Sequence, residues 1–151
     1  MLRIILISLM ISTTACYAQD NNPTYDSVLA KSLGADDYGM KNYIFVILRT
    51  GEYNTEVKAE RDSLFRGHME NINKLADAGR LVVAGPFGKN DKNYRGLFIL
   101  NTTSIEEAEQ WLAGDAAVNA KLFDVEYIKW YGSAALPTYL PVHSTISKKQ
   151  F

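Results

Sequence analysis

Residues 62–75, "DSLFRGHMENINKL", hold the side chain of this chain best suited to moving a proton. Leu64, Phe65, Ile72 and Leu75 form an apolar stripe at helical spacing, and His68 sits within it. An imidazole titrates close to neutral pH, so it can serve as a general base or acid. The same position also suits a core histidine held neutral by a partner. Both readings require an acceptor nearby, because an unsatisfied buried polar group costs roughly 1–3 kcal/mol. Asp115, in the small-residue loop "AGDAAVNA", has the right chemistry. Taken alone it reads as an ordinary turn aspartate. A His–Asp pairing would be long-range, and spacing does not establish it. If made, the carboxylate would orient the ring, which suits acid–base work.

Other candidates carry less. His143, in "PTYLPVHSTISKK", reads as a surface residue on a tail helix; the sharper alternative is a tail folded over a pocket of its own or a partner chain. No His-x-His or His-x-x-x-His spacing is present, so no metal site is expected. "GPFGK" lacks the G-x-x-x-x-G-K-[ST] spacing and does not lead into a helix, so it is a turn rather than a phosphate loop. Lys129 and Tyr127 fall on one face of a strand that can point to a pocket or to solvent. The nine tyrosines follow strand propensity more than any ligand requirement.

The elements that must position His68 follow from periodicity. Residues 25–33 place Val28, Leu29 and Leu33 at helical spacing before Gly34, a short helix outside the main domain. "NYIFVILRT" (42–50) is a strand with apolar residues at successive positions, so both its faces are covered. The His68 helix starts between residues 55 and 62 and ends at Gly79, which suits a left-handed C-cap. Strands follow at 81–87, "LVVAGPF", and 96–101, "GLFILN", with the polar turn "GKNDKNYR" between them. Ser104 and Glu107 have capping-box spacing and open a second helix that Gly114 ends. "AAVNAKLF" is an irregular or helical connection. "DVEYIKWYG" (124–132) closes the domain, with Val125, Tyr127, Lys129 and Tyr131 on one face and Glu126, Ile128 and Trp130 on the other. The order β-α-β-β-α-β is that of an α+β, ferredoxin-like fold with an antiparallel four-stranded sheet. Two helices cover one face of such a sheet. A second copy packed sheet to sheet, a dimeric α/β barrel, is the simplest cover for the other, since each apolar side chain buried contributes roughly 1.5–3 kcal/mol.

At this level of detail the chain resembles the YCII-related (YciI-like) family over residues 42–131. The resemblance is carried by His68 in "RGHMENINKLADAGRLVVAGP", then "SIEEAEQWLAGDAAV", then a closing strand with Trp130. It implies a ferredoxin-like homodimer and a site built from a histidine and an aspartate, here His68 and Asp115. The family usually has proline after this aspartate; this chain has Ala116. The implied function is a cofactor-free His/Asp acid–base enzyme of lyase or isomerase type, with no metal, acting on a small organic substrate, an aromatic one in the narrower reading. The competing class is a non-catalytic small-molecule-binding dimer with the same pocket. That pocket is expected between the sheet and the helix bearing His68.

Composition bounds the partners. Hydrophobic residues make up 47% and charged residues 22%, ordinary for one globular domain, and a net charge of −1 offers no basic surface for nucleic acid. The start has the layout of a secretory signal: "MLR", the short apolar run "IILISLMIS", then "TTACYAQD". We read residues 1–18 as a signal peptide cleaved after Ala18, residues 19–41 as a lead, residues 42–132 as the domain and residues 133–151 as a tail. The apolar run is too short to span a membrane. A lipid anchor at Cys16 competes with simple cleavage; both imply an exported, periplasmic protein. Cys16 is the one cysteine, so either outcome leaves the domain without a disulfide or a catalytic thiol.

Overall fold

The computed structural model describes residues 22–148; the proposed signal peptide and Cys16 lie outside them. A short helix α1 (Ser27–Leu33) is capped by Asp26, whose carboxylate accepts the amides of Val28 and Leu29. After a turn come β1 (Met40–Thr50), α2 (Lys58–Asp77), β2 (Leu81–Pro86), β3 (Tyr94–Leu100), α3 (Ile105–Leu112), α4 (Ala116–Asn119) and β4 (Phe123–Ser133). A 3-10 turn over Leu136–Tyr139 leads into α5 (Leu140–Ile146). The sheet order is β2-β3-β1-β4, antiparallel throughout. This is the α+β, ferredoxin-like arrangement that periodicity predicts.

The alternation of each strand sorts its side chains into two apolar environments. Ile44, Val46 and Leu48 of β1 join Phe98 and Leu100 of β3 beneath the helices, with Leu75 of α2 and Ala108 and Leu112 of α3 closing the core. On the opposite face Tyr43, Val82 and Ile99 are buried, and Phe45, Val83, Leu97 and Trp130 pack against them half-exposed. The chain's own tail covers one end of this face. Leu136 packs on that cluster, and the Tyr139 hydroxyl donates to the Val82 carbonyl at 2.6 Å. Val82 sits at an irregularity, between Leu81 paired with Leu100 and Val83 paired with Ile99. A bulge of this kind leaves one residue outside the ladder and turns neighbours to the same face. The tail therefore finishes a strand whose pairing the sheet leaves incomplete.

Local chemistry differs from expectation in a few places. Gly79 ends α2 with φ of 67°, and the amides of Gly79 and Arg80 bond the carbonyls of Ala76 and Leu75, a Schellman closure. The capping box at α3 is half-formed as predicted: the Glu107 amide donates to the Ser104 hydroxyl at 3.1 Å. The return path runs through Thr102, whose hydroxyl donates to Glu107 and accepts the Ser104 amide. Gly114 does not itself end α3, which stops at Leu112 with Ala113 as its C-cap. Its lack of a side chain makes room for Asn71, whose Oδ1 stands 2.9 Å from where a Cβ would be. The connection after it, open between irregular and helical on sequence, is the four-residue helix α4. β3 begins at Tyr94 and takes the last two residues of the predicted polar turn. The turn before β1 is tied to β4 by the Tyr131 hydroxyl donating to Asp36. That bond holds the Asp36 carboxyl below its usual range and pushes Tyr131 up to about 12.

Candidate active site

His68 lies on the third turn of α2, on a buried stripe that also contains Asn71 and Leu75. It is 8% exposed. Asp115 is fully buried at the N-cap of α4. Both of its oxygens are used. Oδ1 accepts the amides of Ala117 at 2.9 Å and Val118 at 3.2 Å, and Oδ2 lies 2.6 Å from His68 Nδ1. A carboxylate only accepts, so the imidazole donates through Nδ1–H, and Nε2 becomes the edge able to take a proton. Among the described residues Nε2 has no hydrogen-bond partner.

The reason the two elements meet is local. Gly67 precedes His68, and a Cβ there would stand 2.6 Å from the Ala116 Cβ. Only glycine lets α2 approach α4 this closely, and the approach brings the ring to the carboxylate. Ala116 occupies the first helical position of α4, where a proline would also fit. The aspartate is held here by its two amide bonds rather than by ring rigidity.

Three phenylalanines enclose the imidazole. Phe98 of β3 lies 5.9 Å away at a shallow tilt, Phe123 of β4 5.2 Å away and Phe65 of α2 6.5 Å away, both edge-on. Phe65 is on the predicted stripe. Phe98 and Phe123 are missed by sequence reasoning, since strand aromatics carry no signal of which ring they will meet. Asn71 is likewise missed; it donates to the Trp111 carbonyl and braces α2 against α3. Beyond Phe65 and Phe123 opens a cavity of about 560 Å³, walled on its other side by the turn from Pro86 to Arg95. The "GPFGK" segment is the end of β2, Gly85 and Pro86, running into this turn, and its residues 86–89 form part of the cavity wall.

A family model for the YCII-related domain matches residues 44–131, more than half of the chain. The chain belongs to the YCII-related domain family. The match begins within β1 and ends within β4, so the YCII-related unit is the sheet with α2, α3 and α4, and it contains both His68 and Asp115. Among solved structures, this YCII-related chain is similar to 5-chloro-2-hydroxyhydroquinone dehydrochlorinase from Burkholderia phenoliruptrix AC1100, solved in complex with 2,5-dihydroxybenzoquinone. The identity is 22% and the TM-score 0.41, over 58% of this chain and 92% of that one. No curated protein matches the chain.

The remaining candidates stay apart from the pair. His143 is exposed on α5, 6.4 Å from the Tyr139 ring. Lys129 is exposed, on the same strand face as Tyr127, and its charge reaches Glu106 of α3. Burial pushes Tyr127 up to about 12. Among the described residues no three His, Cys, Asp or Glu side chains group as metal ligands, and no helix is long and apolar enough to cross a membrane.

Proposed function

We propose that this YCII-related chain is a cofactor-free acid–base enzyme of lyase or isomerase type, with His68 as the proton-transferring group and Asp115 as its orienter. The observation that carries the reading is the 2.6 Å contact between His68 Nδ1 and a fully buried carboxylate. Asp115 fixes the tautomer and the plane of the ring, as an orienting carboxylate does in other His-based sites. Nε2 then abstracts a proton from a small organic substrate and returns it elsewhere on the same molecule or to a leaving group. The neighbouring phenylalanines leave the ring only 8% exposed and favour an apolar, ring-containing substrate. Such a substrate would be akin to the hydroxyquinols that the dehydrochlorinase is named for.

The protein works as an exported homodimer in this reading. The leader composition supports export, with Cys16 either removed with the leader or lipidated. The half-exposed apolar residues left on the outer sheet face support a second copy. A binding module without turnover is the competing reading, favoured by one feature: the ring stands behind Phe65 and Phe123 rather than on the cavity surface. Solvent-deuterium exchange into a panel of phenolic and carbonyl carbon acids separates the two. Wild type accelerates exchange of at least one, and His68→Ala loses about 10²–10⁴ of that rate while keeping its circular dichroism. If wild type accelerates none, or the folded variant retains the rate, the enzyme reading fails.

A further inference from the structure

The cavity beside His68 has a charge that the rest of the chain does not. The chain carries 16 basic and 17 acidic residues, yet the charged residues lining this cavity are Lys89 and Arg95 and no carboxylate. Neither cation has an ion-pair partner among the described residues, whereas nearby Arg49 is paired with Glu126. Two like charges lining one cavity with no ion-pair partner give it a positive potential, which favours an anion there.

The loop that presents these cations is built to hold its shape. Asn90 makes four hydrogen bonds within it. Its Nδ2 donates to the Gly88 and Tyr94 carbonyls at 2.9 and 2.8 Å, and its Oδ1 accepts the Lys92 and Tyr94 amides at 3.1 Å each. Asn93 takes a left-handed φ of 57°, a conformation asparagine tolerates, and its carbonyl accepts the Thr50 amide of β1 at 3.0 Å. The Phe87 amide donates to the Arg95 carbonyl at 2.9 Å, so the two limbs of the turn face each other. The remaining wall is aromatic. Phe87 and Tyr94 lie 6.2 Å apart, and Phe65 and Phe123 separate the cavity from the imidazole.

We propose that this cavity binds a small aromatic anion, its acidic group held by Lys89 and Arg95 and its ring seated among Phe65, Phe87, Tyr94 and Phe123. The arrangement suits such a ligand on both counts. Guanidinium and ammonium donors form charge-assisted bonds with a carboxylate or phenolate oxygen, and ring faces and edges pack at the spacings seen here. This deepens the acid–base reading and rests on it for the chemistry at His68. The binding itself does not require His68 to be a base.

Calorimetric titration of the purified protein with 4-hydroxybenzoate and with its neutral amide, 4-hydroxybenzamide, tests the proposal. The acid binds at least about ten-fold tighter than the amide, the scale of one charge-assisted contact. That gap narrows as salt is raised. Lys89→Gln with Arg95→Gln removes the gap, weakening the acid far more than the amide. Ring resonances of Phe65 and Phe123 shift on binding in wild type. Equal affinity for acid and amide, no saturable binding of the acid, or a double variant that binds like wild type each overturns the proposal. Saturable, Lys89- and Arg95-dependent binding in a protein that accelerates no deuterium exchange supports the cavity and sinks the acid–base reading alone.

Discussion

At the scale of single residues, the arrangement turns on how one carboxylate divides its two oxygens. Oδ1 of Asp115 caps α4 and Oδ2 holds His68, so the residue is at once a helix cap and a ring orienter. The two roles separate in Asp115→Asn. An asparagine keeps its carbonyl on the two amides, because Asn caps helices about as well as Asp. Its NH₂ then faces His68 and can only donate, which forces Nδ1 to accept and moves the proton to Nε2. We expect the fold to hold within about 1 kcal/mol. The expected turnover loss is about 10²–10⁴, as befits an imidazole in the wrong tautomer. Ring nitrogen chemical shifts at His68 report the tautomer directly. A variant that keeps the Nδ1–H form would show that Asp115 does not set it.

At the scale of elements, the site depends on the contact between α2 and α4. Gly67→Ala places a methyl group 2.6 Å from the Ala116 methyl, with no flexible side chain to yield. The gain in helix propensity, about 1 kcal/mol, is opposed by overpacking of about 1–3 kcal/mol. The expected result is a modestly lower melting temperature together with a disproportionate loss of activity, because the helices part along the line joining His68 to Asp115. Melting curves and exchange rates on the same sample check this. A variant as active as wild type would mean that the pair tolerates a wider helix spacing. The turn from Pro86 to Arg95 has the opposite design: it is anchored by Asn90 and Asn93 rather than by burial, so its side chains can vary without loss of its path.

At the scale of the whole molecule, the two sheet faces are unequal. The helix side is closed. The outer side is closed at one end by Leu136 and Tyr139 from the tail, while Phe45, Leu97 and Trp130 remain half-exposed and Ile128 is 39% exposed. These residues are the expected contact with a second copy. Light scattering of the purified protein should give the mass of two chains. Ile128→Glu should shift it toward one chain, since burying an unpaired charge costs several kcal/mol against the roughly 1.5–3 kcal/mol each apolar side chain contributes. His68 and Asp115 lie in the same chain, so the dissociated variant should retain the Nδ1–H tautomer. A wild-type mass of one chain would overturn the dimer.

Strand and helix order, the α+β class and the inward direction of His68 are all legible in the sequence, because apolar periodicity is a local property that burial enforces one residue at a time. The motif resemblance also points to Asp115. The reach of His68 to Asp115 is not legible, since it depends on Gly67 touching Ala116 and on a helix, α4, of only four residues. Nor are the phenylalanine cage and the basic cavity mouth. Phe98, Phe123 and Arg95 come from strands whose pairing brings distant segments side by side, and Lys89 from a turn whose placement beside Phe65 and Phe123 depends on that pairing. The sequence determined which side chains would face inward; the tertiary structure decided which of them would meet, because that depends on register and helix spacing set jointly by the whole core.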